Sequence, residues 1–306
     1  MQTYLTPPPL PGRLLPGLCL LLAATALAGC QTPNTDRQAS LTKKDVLVVA
    51  HRACWREAAE NSLEGLEACI RQGVDIAEVD VRATRDGVLV LMHDPGIGRT
   101  TNGSGRVSAL TYAQLRDVRL KAGRGGAKAR MTDYRIPTLE EALRVADGRI
   151  MLELDIKDRP RLVMDFLRQK GRTKDIVLAT DTGFDPRLDV RWRLFLTGQD
   201  SSRHRLLLPD GARPFAISAN WGHMRDPRAA FARIHAQGGR VWSVTLTGKR
   251  DTPATWEKYI RAGPSAIHTD QPDKLLQYLR EREERTAAAG EKQTGISPSS
   301  PAWRQR

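Results

Sequence analysis

The 306-residue chain is short of cysteine, aromatic residues and long apolar runs, and each shortage narrows what it can be. The four cysteines, Cys19, Cys30, Cys54 and Cys69, lack the spacing of a zinc site. Five tyrosines, five phenylalanines and six tryptophans stand among 48 lysines and arginines. The basic residues are scattered over predicted helices and loops, so neither a recognition helix nor a stacking platform for nucleic acid emerges, and no nucleic-acid partner is expected. The net charge of +13 reads as a solvated basic surface that attracts anions at long range. The most sustained apolar segment, Leu14 to Ala28, is too short, and too interrupted by Pro16 and Gly17, to span a membrane.

What that segment does have is the order of a secretory signal: Arg13, the apolar stretch, then Leu27-Ala28-Gly29-Cys30. The ending resembles a bacterial lipobox, which implies that Cys30 is acylated and becomes the first residue of the exported protein; an ordinary cleaved signal with an incidental Cys30 is the alternative. Gln31, where an aspartate is absent, favours the outer membrane facing the periplasm. In such an oxidising compartment Cys54 and Cys69 are able to pair. The predicted organisation is a signal over residues 1–29, a polar tether over 30–43, a folded domain over 44–283 and a disordered tail over 284–306. The oligomeric state is not legible.

About 240 residues suffice for one large core and suit a single α/β barrel. Apolar runs rich in β-branched residues alternate with amphipathic segments: Val46–Ala50, Val74–Val81, Val88–Met92, Ile150–Ile156, Ile176–Ala179, Arg193–Leu196, Phe215–Ser218, Arg240–Val244 and Ala266–Thr269 read as strands. The second and third are joined by the turn signal Asp86-Gly87, where a barrel ordinarily has a helix. A Gly-, Arg- and Thr-rich stretch over about residues 96–132 reads as an insertion over the strand exits. The fold class expected is therefore α/β, a (β/α)8 barrel with a small insertion after the third strand.

In such a barrel the carboxyl ends of the strands share one face, so residues at successive exits converge. His51 and His93 close the first and third apolar runs. Glu78 and Asp80, two apart on a strand, point to one side and can hold a cation between them. Asp155 ends the fourth run, and Glu153 shares its parity and is a further ligand candidate. All-oxygen ligands select a hard divalent ion, magnesium or calcium. Two imidazoles that titrate near neutrality can supply the acid and the base that phosphodiester cleavage needs. Arg52 and Lys157 would neutralise a phosphate, the first by its fork and the second as a point charge. Asp94 reads as orienting His93 or closing its turn, Asn61 as a helix cap, and His204, His223, His235 and His268 as structural.

Together, His51-Arg52, Glu60-Asn61, Glu78-x-Asp80 and a strand ending His93-Asp94, in this order and at these separations, resemble the glycerophosphodiester phosphodiesterases, over roughly Val46 to Asp273. The resemblance implies a small-molecule phosphodiester substrate, hydrolysis to an alcohol and sn-glycerol 3-phosphate, and one divalent cation. It implies that Glu60 helps complete the metal or hydroxyl-binding shell. It also implies that Trp242 walls the pocket, with core packing as the alternative. The family has a glutamate where Asp155 stands, and Ala53 replaces its glycine after His-Arg. Trp55-Arg56 and the missing proline before Glu60 depart from the common version, and these first-loop changes bear on substrate identity more than on chemistry. A surface lipoprotein that binds phosphate-bearing ligands or a partner without turnover is the alternative function.

Overall fold

In the computed structural model the described residues are 46–172, 176–180, 191–196, 216–219, 228–236, 239–246 and 248–294. The signal, the tether, His204 and His223 lie outside them. Eleven strands are described, numbered in chain order: β1 (Leu47–Ala50), β2 (Ile76–Ala83), β3 (Leu89–Leu91), β4 (Arg119–Lys121), β5 (Met131–Arg135), β6 (Met151–Ile156), β7 (Ile176–Thr180), β8 (Arg191–Leu196), β9 (Ala216–Ala219), β10 (Arg240–Val244) and β11 (Ala266–Thr269). Eight of them, β1, β2, β6, β7, β8, β9, β10 and β11, pair in parallel in that order, and β11 returns to β1. The ring is closed, as a (β/α)8 barrel requires.

The strand β3 is not a stave of that ring. It pairs antiparallel with the end of β2, Val81 opposite Leu91 and Ala83 opposite Leu89. The turn at Gly87, with φ 85°, joins them too tightly for a parallel crossover, which needs a dozen or more residues. So β2 overshoots the barrel, and β3 brings the chain back to the same mouth. His93 reaches that mouth on a return strand, where a parallel strand exit was expected.

Local signals set the helix ends. Ser62 caps the helix Leu63–Gln72 through a 2.9 Å bond from Gly65 N to its Oγ, and Gly73 closes it at φ 78°. Thr138 and Glu141 form a capping box on Leu139–Ala146. The last helix runs Pro272–Thr294, well into the stretch expected to be a tail. Ala287-Ala288-Ala289 and the flanking Glu and Lys are strong helix formers, and residues 295–306 lie outside the described set.

Four apolar clusters are found among the described residues, one of them Ile217, Phe231, Ile234, Val241 and Tyr259. Leu66, Leu139, Leu152, Val163 and Leu178 are among the residues that fill the space between barrel and helices. Leu47, Val49, Ile76, Met151, Val177, Ala216, Trp242 and Ala266 form a separate plug in the barrel interior. Ile97, Val107, Leu115 and Leu120 form a small core beneath the insertion, whose strands β4 and β5 pair antiparallel. Backbone bonds from Gly123 N to Ala58 O (2.7 Å) and from Glu60 N to Gly123 O (2.8 Å) lay the insertion against the loop that follows β1.

Candidate active site

Glu78 and Asp80 project from β2 to the inside of the mouth, and both are buried. The β2–β6 register sets Asp80 opposite Asp155 and Glu78 opposite Glu153. Oxygen atoms of Glu78, Asp80 and Asp155 lie within 4.8 Å of one another, a group able to hold a metal ion.

The loop after β1 is shaped around these carboxylates. Arg52 and Ala53 take left-handed backbone angles, φ 54° and 61°. That turns the Arg52 N–H onto Glu78 Oε2 (2.7 Å) and the Ala53 N–H onto the Glu78 carbonyl (2.8 Å). Ala53 thus adopts the backbone that a glycine would take more easily. Asn61, also left-handed at φ 57°, grips Asp80 twice: its Nδ2 donates to Asp80 Oδ2 at 2.7 Å, and its Oδ1 accepts from Asp80 N at 2.9 Å. Asn61 is therefore a partner of Asp80, and Ser62 next to it does the capping.

Burial, with Asp80 beside it, raises the Glu78 carboxyl to about 7. For Asp80, burial acts in the same sense but is outweighed by Lys157 and then Asn61, so its carboxyl falls below the ordinary range. The Lys157 ammonium bridges Asp80 Oδ1 at 2.9 Å and Asp155 Oδ2 at 2.6 Å. The Arg52 guanidinium stands 3.6 Å from Asp80, so three carboxylates share two cationic side chains, and the hard oxygen donors fit a divalent cation.

Each flanking histidine is fixed by a carboxylate. His51 Nδ1 donates to Asp270 Oδ1 at 2.8 Å, and Trp55 Nε1 donates to the same oxygen at 3.0 Å. Burial opposes ionisation of Asp270, but the bonds from His51 and Trp55 outweigh it and hold the carboxyl at about 2. His93 Nδ1 donates to Asp94 Oδ1 at 2.6 Å, and Arg99 Nε donates to Asp94 Oδ2 at 2.5 Å. The Arg99 bond is the main reason that the Asp94 carboxyl lies far below its usual range. With both Nδ1–H groups engaged, Nε2 of each ring is the nitrogen left for a substrate.

Three of the expected site residues stand elsewhere. Glu60 is apart from the acidic cluster and bound by arginines, with Arg99 Nη2 at 2.6 Å, Arg52 Nη1 at 3.2 Å and Arg124 Nε at 3.8 Å. Glu153 is one layer deeper, ion-paired with Arg193. Trp242 is fully buried in the interior plug, where its indole packs in the barrel core below the site, the alternative to a place on the pocket wall. Arg52 is directed to Glu60 and, at 3.6 Å, to Asp80. His268, expected to be structural, lies beneath the site edge-on to His51, with ring centres 5.3 Å apart, and 3.8 Å from Glu78. Burial drives its pKa down to about 3, so the ring is neutral.

Asp270 and Arg99 are functional neighbours that sequence reasoning did not single out. The signal for Asp270 was present, since it follows the last strand as His51 follows the first. Arg99 carried none, because its contacts arise only when the insertion folds back. Cys54 and Cys69 form a disulfide that ties the first loop to the following helix.

Fold and mouth define an α/β-barrel enzyme built around an acidic cluster and two carboxylate-held histidines. A model of the glycerophosphoryl diester phosphodiesterase family matches residues 51–182. Glycerophosphodiester phosphodiesterase of Caldanaerobacter subterraneus subsp. tengcongensis is 34% identical over 252 residues, covering 76% of this chain and 98% of that protein. Glycerophosphodiester phosphodiesterase 1 of Mus musculus is 41% identical over 98 residues, which is 32% of this chain and only 29% of the mouse protein. The crystal structure of a glycerophosphoryl diester phosphodiesterase from Parabacteroides distasonis superposes with a TM-score of 0.66 at 26% identity, covering 77% of this chain and 86% of that one. The chain belongs to the glycerophosphodiester phosphodiesterase family and is a phosphoric diester hydrolase.

Proposed function

We propose that the chain hydrolyses glycerophosphodiesters to an alcohol and sn-glycerol 3-phosphate with a divalent cation, magnesium or calcium, held by Glu78, Asp80 and Asp155. The observation that carries this reading is the pairing of His51 with Asp270 and of His93 with Asp94 on either side of that cluster. A bound cation polarises a phosphoryl oxygen and lowers the pKa of a hydroxyl nucleophile. The protein's own groups do the rest. Lys157 and Arg52 offset charge on the phosphate. One imidazole takes the proton of the attacking water, or of the neighbouring glycerol hydroxyl before water opens the resulting cyclic phosphate, and the other gives a proton at Nε2 to the departing alkoxide. Asp270 and Asp94 fix the rings in the tautomer that exposes Nε2, and stabilise each ring while it carries two protons.

The departures at Ala53 and Asp155, which favour a non-catalytic lipoprotein, remove no part of the site: Ala53 adopts the required backbone and Asp155 stands in the cluster. The test is release of sn-glycerol 3-phosphate from glycerophosphoethanolamine and glycerophosphocholine, with and without chelator. Release that stops on chelation and returns with magnesium or calcium is expected, and release indifferent to chelator removes the cation from the mechanism. Export and acylation at Cys30 belong to the same proposal. The Cys54–Cys69 bridge supports an oxidising compartment, and mass spectrometry of the mature amino terminus checks the anchor.

A further inference from the structure

The wall of the mouth on the His51 side is made by residues that the hydrolytic chemistry does not use. Trp55 follows His51 by four positions and bonds to the same Asp270 oxygen. Its indole face is already covered. The Arg56 guanidinium lies 4.8 Å from the ring centre and that of Arg124, from the insertion, 5.7 Å. Arg56 Nε donates to the Asp270 carbonyl at 2.8 Å, and no carboxylate lies within ion-pair distance of Arg56 among the described residues. Among the described residues Arg124 has one carboxylate at ion-pair distance, Glu60 at 3.8 Å, which Arg52 and Arg99 hold more closely, and its charge also helps keep Asp270 ionised.

Acids on this wall are engaged elsewhere. Asp270 Oδ1 accepts from both His51 and Trp55, Glu60 is buried under three arginines, and Glu57 accepts from Gln72. The Trp55 ring, a surface able to hold a quaternary ammonium, has two guanidinium groups beside it instead; Arg56 has no carboxylate at ion-pair distance among the described residues, and Arg124 shares Glu60 with two closer arginines.

We infer that Trp55, Arg56 and Arg124 form a specificity wall for the alcohol moiety, selecting headgroups that carry a second anionic group, such as a further phosphate diester, over headgroups that carry a quaternary ammonium. The inference rests on the hydrolase reading and narrows its substrate class. Guanidinium groups bind phosphate by charge-assisted bonds, stronger than neutral ones, and repel trimethylammonium at the same place. Both arginines are exposed, so the selectivity is screened by salt.

The experiment compares bis(glycerophospho)glycerol, which carries a second phosphodiester, with glycerophosphocholine, using the purified full chain. The ratio of kcat/KM between the two is read for the wild type, Arg56→Gln and Arg124→Gln, and the ratio of dissociation constants for the same ligands is read by calorimetry. A ratio of about tenfold or more in favour of the doubly anionic diester is expected, falling several-fold in each variant through KM and shrinking as salt rises from about 50 to about 500 mM. A ratio near unity or favouring choline overturns the inference, as does a ratio that neither variant moves. If neither diester is cleaved but the calorimetric ratio and its loss persist, the wall stands and the hydrolase reading falls.

Discussion

Two layers of the same barrel interior carry acidic residues on the same strands and with the same parity, yet they do different work. In the mouth layer Asp80 and Asp155 face each other across β2 and β6, joined by Glu78 and bridged by one lysine. One register step deeper Glu78 and Glu153 lie side by side; Glu78 faces the cluster, whereas Glu153 meets Arg193, below which Trp242 and the interior plug exclude water. Residue type and alternation do not distinguish Glu153 from Asp155. The partner does: Glu78 stands at the register level of Glu153 and is as buried, but it faces Asp80 and Asp155 and can share a cation with them, whereas Glu153 is turned to Arg193, which neutralises it.

The sharpest way to probe the mouth layer is to remove an imidazole. His51→Ala and His93→Ala are each expected to lower kcat by about a hundred- to ten-thousand-fold with cation affinity nearly intact; steady-state rates alongside metal titration check both halves. Two variants that keep near-normal rates would end the acid–base assignment.

Striking the lower layer should cost stability and not chemistry. Trp242→Ala empties a fully buried site and is expected to destabilise by about 3–5 kcal/mol. Urea unfolding measures this, and KM of the remaining folded enzyme should move little. A selective rise in KM without lost stability would return Trp242 to the pocket wall.

Acidity tests the role of Glu78 directly. Glu78 titrates at about 7 in the fold against 4.5 ordinarily, so the cation-free fold holds a proton that the unfolded chain has released. That contribution to stability is fully present below 4.5 and is lost as pH rises through 7. The melting temperature of chelated protein should therefore fall across this window. Cation affinity should run the other way, rising by about tenfold per pH unit as Glu78 gives up its proton. A flat affinity profile would mean that Glu78 is not a ligand.

The smallest effect is expected at Ala53. Glycine would relieve about 1 kcal/mol of left-handed backbone strain, but would add unfolded-state entropy of about 0.5–1 kcal/mol and lose a buried methyl. Ala53→Gly should thus shift stability by less than about 1 kcal/mol, as thermal unfolding reads it, and a large gain would show the loop to be strained.

The strand pattern and the mouth chemistry were legible because both are local: apolar runs with polar exits place His51, Glu78, Asp80, Asp155 and Lys157 with no knowledge of long-range contacts. Depth is not local. Whether Glu153 and Trp242 reach the rim depends on where the barrel's waist falls, which strand registers decide. Glu60 reads as a ligand until the insertion folds back and brings Arg99 and Arg124 to it. The direction of β3 was within reach, because a turn as short as Asp86-Gly87 excludes a parallel neighbour.

The central claim is that the partner each acid meets, and not residue type, separates the cation site from the structural acid beside it, and calorimetric titration of magnesium and calcium into Asp155→Asn and Glu153→Gln tests it most directly. Asp155→Asn should weaken binding by about tenfold or more, whereas Glu153→Gln should stay within about threefold of the unaltered protein while melting earlier. Weakened binding in Glu153→Gln with Asp155→Asn unaffected would contradict the account.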